Sequence, residues 1–124
     1  MRIVGRFRKD IIELLDLPVE ENTPIYIGKV NEAHMRNRHE YEYDKYRNNI
    51  EDILKQPDYV GINPHDNSVM YVKEYVDCGE YIRVGVKISC SGMYFARTLH
   101  LLSTYNAERY IHKGTLKKVD NWLQ

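Results

Sequence analysis

"VMYVKEYVDCGEYIRVGVKISCSGMYFARTLHLL", residues 69–102, decides the fold. Three apolar-rich runs, 69–76, 81–89 and 93–102, are separated by DCGE and by CSG. Each connection is hairpin-sized and carries a glycine, so the runs read as three strands of an antiparallel meander. In the middle run Ile82, Val84, Val86 and Ile88 alternate with Tyr81, Arg83, Gly85 and Lys87. A period of two puts the first set on an apolar face and the second, cationic with one aromatic, on the other. The third run is less regular. By parity Phe95, Arg97, Leu99 and Leu101 share one face, and Tyr94, Ala96, Thr98, His100 and Leu102 the opposite one. The apolar set therefore contains Arg97. Either Arg97 sits inside a helix-covered face, or a bulge near it changes the alternation. A buried guanidinium must meet an acid or bind an anion, because an unpaired buried charge is very costly. A structural salt bridge and a phosphate clamp both meet that demand, and the planar fork of Arg suits the second.

Working outward, "YVGI" (59–62) is a possible fourth strand, joined to the meander by the turn-rich "NPHDNS" (63–68). "PIYIGKV" (24–30) is a short strand candidate. "RKDIIELLDL" (8–17) has helical spacing at Ile11, Ile12, Leu14 and Leu15, and Pro18 ends it. A long helix is expected from an Asn31 cap to near Lys55, stopped by Pro57. Its apolar stripe is Met35, His39, Tyr43, Tyr46, Ile50 and Ile53, with His39 the polar exception. Such a histidine is either a hydrogen-bonded core residue or a group suited to proton transfer. In residues 106–124 Gly114 is expected to break the chain, and "TLKKVDNWL" (115–123) reads as a short helix or an edge strand. Helices first and a meander after predict a single α+β domain over residues 1–124. Two N-terminal helices would pack on one face of an antiparallel sheet of about four strands, leaving the other face open.

The chain has 124 residues and no formal net charge, but the charge is segregated. Residues 1–80 hold eleven basic and sixteen acidic side chains. Residues 81–118 hold Arg83, Lys87, Arg97, Arg109, Lys113, Lys117 and Lys118 against Glu108 alone. That asymmetry is expected when one side of a domain meets an anion, although a dipolar surface without a ligand would look the same. Eleven tyrosines fit a binding surface or a wet core. No stretch approaches a membrane span, and "MRIVGRFRKD" lacks the apolar run of a signal peptide. Cys78 and Cys90 form no CxxC and read as free thiols, so a reducing cytoplasm is the expected location.

Several chemistries are disfavoured. The chain has no Walker loop, no GxGxxG and no GxSxG elbow, and "HMRNRH" lacks the HExxH spacing. His65, His100 and His112 are scattered, and no cysteine pair supports zinc. No metal and no cofactor is therefore expected. An inventory of His, Arg, Thr, Lys and Tyr remains. It suits cleavage of RNA through its own 2′-OH, which needs a base, cations for the phosphorane and an acid for the leaving oxygen.

Four segments, "HMRNRHEYEYDKYRNNIEDILKQPDYVG", "RVGVKIS", "GMYFARTLHLLS" and "RYIHKGTLKK", together resemble the phage- and mobile-element-encoded nucleases of the barnase–EndoU–colicin–RelE superfamily. The resemblance covers roughly residues 25–118. Its markers are His39 with the later "PDYV", the Arg97–Thr98 dyad, and Tyr110, Lys113 and Gly114 near the end. It implies two helices on an antiparallel sheet and metal-independent RNA cleavage by a toxin or mobile-element effector. His39 would then be an acid–base residue, Arg97 would hold the scissile phosphate, Thr98 would orient it, and Tyr110 or Lys113 would complete the site. Arg83, Lys87, Tyr94, Lys117 and Lys118 would bind the RNA, with tRNA or ribosomal RNA as candidate targets and a cognate inhibitor protein as a further partner. The rival readings are a non-catalytic RNA- or protein-binding accessory protein and a polar cluster that is purely structural.

Overall fold

The computed structural model describes residues 1–121. Its strands are β1 (Arg2–Arg6), β2 (Pro24–Ile27), β3 (Tyr59–Ile62), β4 (Val69–Tyr75), β5 (Glu80–Ile88), β6 (Tyr94–Leu102) and β7 (Leu116–Lys118). Its helices are α1 (Lys9–Leu15), α2 (Lys29–Arg38), α3 (Glu40–Tyr46), α4 (Ile50–Lys55) and α5 (Thr104–Lys113), with a 3-10 turn at Arg47–Asn49. All seven strands join one sheet in the order β1-β2-β6-β5-β4-β3-β7. The β4–β5–β6 meander forms as its hairpin signals predict, and β3 is the expected fourth strand.

The expected sheet of four strands is thus too small. β1 was hidden because "RIVGR" is short and carries two arginines, yet it pairs with β2 and buries Val4. β2 in turn runs parallel to β6, through only Ile25↔Tyr94 and Tyr26↔Phe95. At the far edge β7 pairs with β3, so the edge-strand alternative for 115–123 holds over Leu116–Lys118. Trp122 and Leu123 of that stretch lie outside the described residues. Gly61 makes the β3–β7 pairing possible, since a Cβ there would stand 2.0 Å from the Thr115 carbonyl oxygen.

The long helix also needs correcting. It starts at Lys29, and Asn31 sits inside the first turn, its Oδ1 accepting the Gly28 N–H at 2.8 Å. It then breaks at His39 (φ −142°, ψ 64°) and again around Arg47–Asn49. No proline or glycine marks the break at His39, so its cause is tertiary. There the chain passes the edge of β6, and Glu42 accepts the Leu101 N–H at 3.0 Å. Beyond the break Tyr43, Tyr46, Ile50 and Ile53 are all buried. Burying each isoleucine contributes about 1.5–3 kcal/mol, which offsets helical hydrogen bonds worth about 1 kcal/mol apiece.

Two apolar clusters flank the sheet. The larger joins Ile82, Val84, Val86, Ala96 and Leu99 to α1–α4. The smaller joins Met70, Val72 and Leu102 to Ala107 and Tyr110 of α5. The second face is therefore partly roofed by α5 rather than open. Ser103 caps that helix through Asn106 N–H, and Gly114 ends it at φ 81°.

Candidate functional site

β5 and β6 pair Arg83 with His100 and Gly85 with Thr98, so these four residues share the α5 face of the sheet. Beyond Gly85 the register slips by one residue, because Val86 pairs with Ala96 and Arg97 is left over. Arg97 is the bulged residue. The bulge lets Ala96 and Leu99 reach the same apolar cluster and leaves Arg97 exposed. Strict alternation, which grouped Phe95, Arg97, Leu99 and Leu101, fails at that point. Arg97 makes no hydrogen bond or ion pair among the described residues, which removes the salt-bridge alternative.

Gly85 opens the space beside these groups. A Cβ at Gly85 would stand 2.4 Å from Thr98 Oγ1. Two adjoining cavities result, of about 320 Å³ and about 150 Å³. Both are lined by Asp66, Ser68, Gly85 and Thr98. The larger extends to Arg97, Lys87 and His34, the smaller to His39, Arg83 and His100. His39 and Arg97 thus line different cavities, which meet at Thr98 to form one groove. Its β3–β4 wall is fixed by Asp66, whose Oδ1 accepts both the N–H (3.0 Å) and the Oγ–H (2.7 Å) of Ser68. Partial burial opposes ionisation of Asp66. The Ser68 hydrogen bonds, with Lys87 and Arg83 nearby, nevertheless hold its pKa below the usual carboxylate value.

At the inner end two imidazoles meet, with ring centroids of His39 and His100 4.4 Å apart. They stand in different surroundings. His39 Nδ1 lies 3.4 Å from Oε2 of the buried Glu42. His100 Nδ1 lies 2.7 Å from Arg83 Nη2. Arginine only donates, so His100 Nδ1 must accept and a neutral ring carries its proton on Nε2. Burial, then the charges of Arg83 and His39, lower the His100 pKa below 6.5, with Glu42 opposing. Burial likewise lowers that of Arg83, against Tyr110 and Asp66. Ligand atoms of His39, Glu42 and His100 all lie within 4.8 Å of one another, close enough to suit a divalent cation. Arg83 works against that use, because it occupies one His100 nitrogen and adds a positive charge beside the cluster.

The other expected site residues lie elsewhere. Tyr110 is buried under α5 on the Arg83 side. Lys113 is exposed in the last turn of α5 and does not line the groove. Tyr94 packs edge-on against Phe7 at 4.8 Å, within the larger apolar cluster. Lys117 and Lys118 sit on β7, at the opposite end of the sheet from β6 with two strands between β7 and β5. Sequence reasoning passed over His100, Glu42, Asp66 and Ser68. A register counted from the CSG turn sets Leu99 opposite Arg83, and only the bulge at Arg97 brings His100 there; no local signal marks Glu42.

A family model described as phage-Barnase-EndoU-ColicinE5/D-RelE like nuclease3 matches residues 2–119. No curated protein and no solved structure matches the chain.

Proposed function

This chain belongs to that nuclease family, whose substrate is nucleic acid, and we propose that it is an endoribonuclease that cleaves RNA without a metal. The observation that carries this reading is Arg97, exposed on its bulge and unpaired among the described residues, lining a groove that continues to His39 and His100. An unpaired guanidinium beside a lysine is suited to a phosphate. With Glu42 beside its Nδ1, His39 is the base that removes the 2′-OH proton. The 2′-oxygen then attacks phosphorus, and the 5′-oxygen leaves and takes a proton from solvent in the open groove. Arg97, Lys87 and Arg83 neutralise the phosphorane, and the Thr98 hydroxyl orients it. Neutral His100 donates its Nε2–H to a phosphate oxygen, a task that needs no imidazolium. Tyr110 supports Arg83 from below. Lys117 and Lys118 serve only RNA that runs on past the groove.

In this reading the whole chain acts as one nuclease domain. Its setting is a cytoplasmic toxin or mobile-element effector, with tRNA or ribosomal RNA as target and an inhibitor protein as partner. The test is incubation with total RNA and tRNA in EDTA, followed by end-mapping. The expected products end in 2′,3′-cyclic phosphate or 3′-phosphate, and a 2′-deoxy nucleotide at the scissile position blocks the reaction. Cleavage of that deoxy substrate, or activity lost in EDTA and restored by magnesium, overturns the proposal in favour of a metal held by His39, Glu42 and His100. A folded protein that binds RNA and never cuts it points to the accessory-protein reading.

A further inference from the structure

Around the end of the sheet from the groove lies a second cavity, of about 410 Å³, on the side of the larger apolar cluster. That volume falls in the range of small-molecule sites, about 300–1,000 Å³. Its walls are Phe7, Leu17, Ile62, Val86, Ile88 and Tyr94. Two short polar side chains, Asp16 and Asn67, also line it. Both stand at left-handed backbone positions, φ 53° and 61°, so each belongs to a tight turn that fixes where its side chain starts. Asp66 and Lys87 line this cavity and the groove alike, so the two spaces adjoin through a cation and an acid.

We infer that this cavity is a subsite for one unstacked nucleobase of the substrate, next to the phosphate held in the groove. The inference rests on the ribonuclease reading and deepens it. A flat aromatic ring matches an apolar slot bearing Tyr94 and Phe7, and proteins read single-stranded RNA by taking bases out of the stack in this way. Asp16 and Asn67 supply an acceptor and a donor–acceptor pair for the base edge. Lys87, shared between the spaces, holds the 5′-phosphate of the base's own nucleotide. The arrangement makes the enzyme selective for the base at one position beside the cut, while the groove itself contacts only phosphate and ribose.

The test uses the full chain and does not depend on cleavage. Binding of ribose 5-phosphate and of the four nucleoside 5′-monophosphates is measured by NMR titration for wild type, Ile88→Trp and Asn67→Gly. Ile88 is half exposed at the cavity's edge, so tryptophan there fills the slot without entering the core. Glycine suits the backbone at position 67 and deletes the edge reader. In the wild type at least one mononucleotide should bind on the order of ten- to a hundred-fold tighter than ribose 5-phosphate. Ile88→Trp should abolish that increment and leave ribose 5-phosphate binding unchanged, and Asn67→Gly should narrow the preference among bases. Equal affinity for ribose 5-phosphate and all four mononucleotides overturns the inference, as does an increment that survives Ile88→Trp. A base-dependent increment without RNA cleavage keeps the subsite and removes the ribonuclease reading. Cleavage without the increment does the reverse.

Discussion

Arg83 sets the chemistry of the histidine beside it. Its guanidinium fixes the tautomer of His100 and, together with burial, disfavours the imidazolium, while one ring away His39 Nδ1 faces the Glu42 carboxylate instead. Two like side chains thus stand beside unlike neighbours, a cation for one and a carboxylate for the other. His39→Ala should lower RNA cleavage about 10²–10⁴-fold, the worth of a positioned proton-transfer group. Arg97→Ala should lower it about 10²–10³-fold, as when one donor to developing charge is removed. Single-turnover rates with circular dichroism on each variant check both. The lowered pKa of His100 also predicts acid sensitivity. Unfolding exposes a ring of ordinary pKa, so the unfolded state binds the extra proton first and stability falls as pH drops below about 6.5. Arg83→Gln should weaken that trend by letting the folded ring titrate more normally. Thermal unfolding from pH 7.5 to 5 measures the slope, and a slope identical in both proteins would contradict the assignment. At this scale Arg97, Thr98 and His39 could be picked out from the sequence because each is out of place in an apolar pattern. Glu42 could not, because its partner is a backbone amide 59 residues away.

Two glycines and one bulge give the sheet elements their working shape. At Gly85 the missing side chain is the groove's floor. Gly85→Ala would press a methyl group against the Thr98 hydroxyl, at a cost of about 1–3 kcal/mol for overpacking. It should abolish phosphate binding as well. The double variant Gly85→Ala/Thr98→Ala should regain most of the lost stability in urea unfolding, since the clash is with that side chain. Gly61→Ala is different. The obstacle there is the Thr115 carbonyl, which is backbone and cannot swing aside. The β3–β7 pairing should open, with a loss at the upper end of the same range or beyond it. The strands of the meander were legible because β-periodicity and turn glycines act locally. The break at His39 was not, because the helical pattern runs straight through it and only the β6 edge interrupts it. The bulge lies between these cases. An arginine at an apolar parity position signals a defect in the alternation, and the register then locates it.

Over the whole molecule, the basic excess of residues 81–118 is divided among the groove, α5 (Arg109 and Lys113) and the β7 edge. The groove itself holds Arg83, Lys87 and Arg97. Three phosphate contacts on a single strand give a slope of log affinity on log salt of about −2, and Arg97→Ala should reduce it by about 0.7. Fluorescence anisotropy with a short RNA between 50 mM and 300 mM salt measures it. A slope several times steeper would mean that Lys117 and Lys118 share the same strand path. At this scale the class of the fold was readable, but the size of the sheet was not. β1 and β7 are short, and β2 meets β6 through a pairing that no local pattern announces. That last pairing also sets the order in which the protein can come into being. The groove needs α2 and His39 from the first third of the chain and Arg97, Thr98 and His100 from the last third. A ribosome adds about 5–20 residues per second, so the early half waits for seconds before its partner strand emerges. No nascent chain that stops short of β6 carries the assembled groove, so under the proposed ribonuclease function the messenger and ribosome that make the protein are the last RNA it meets unarmed.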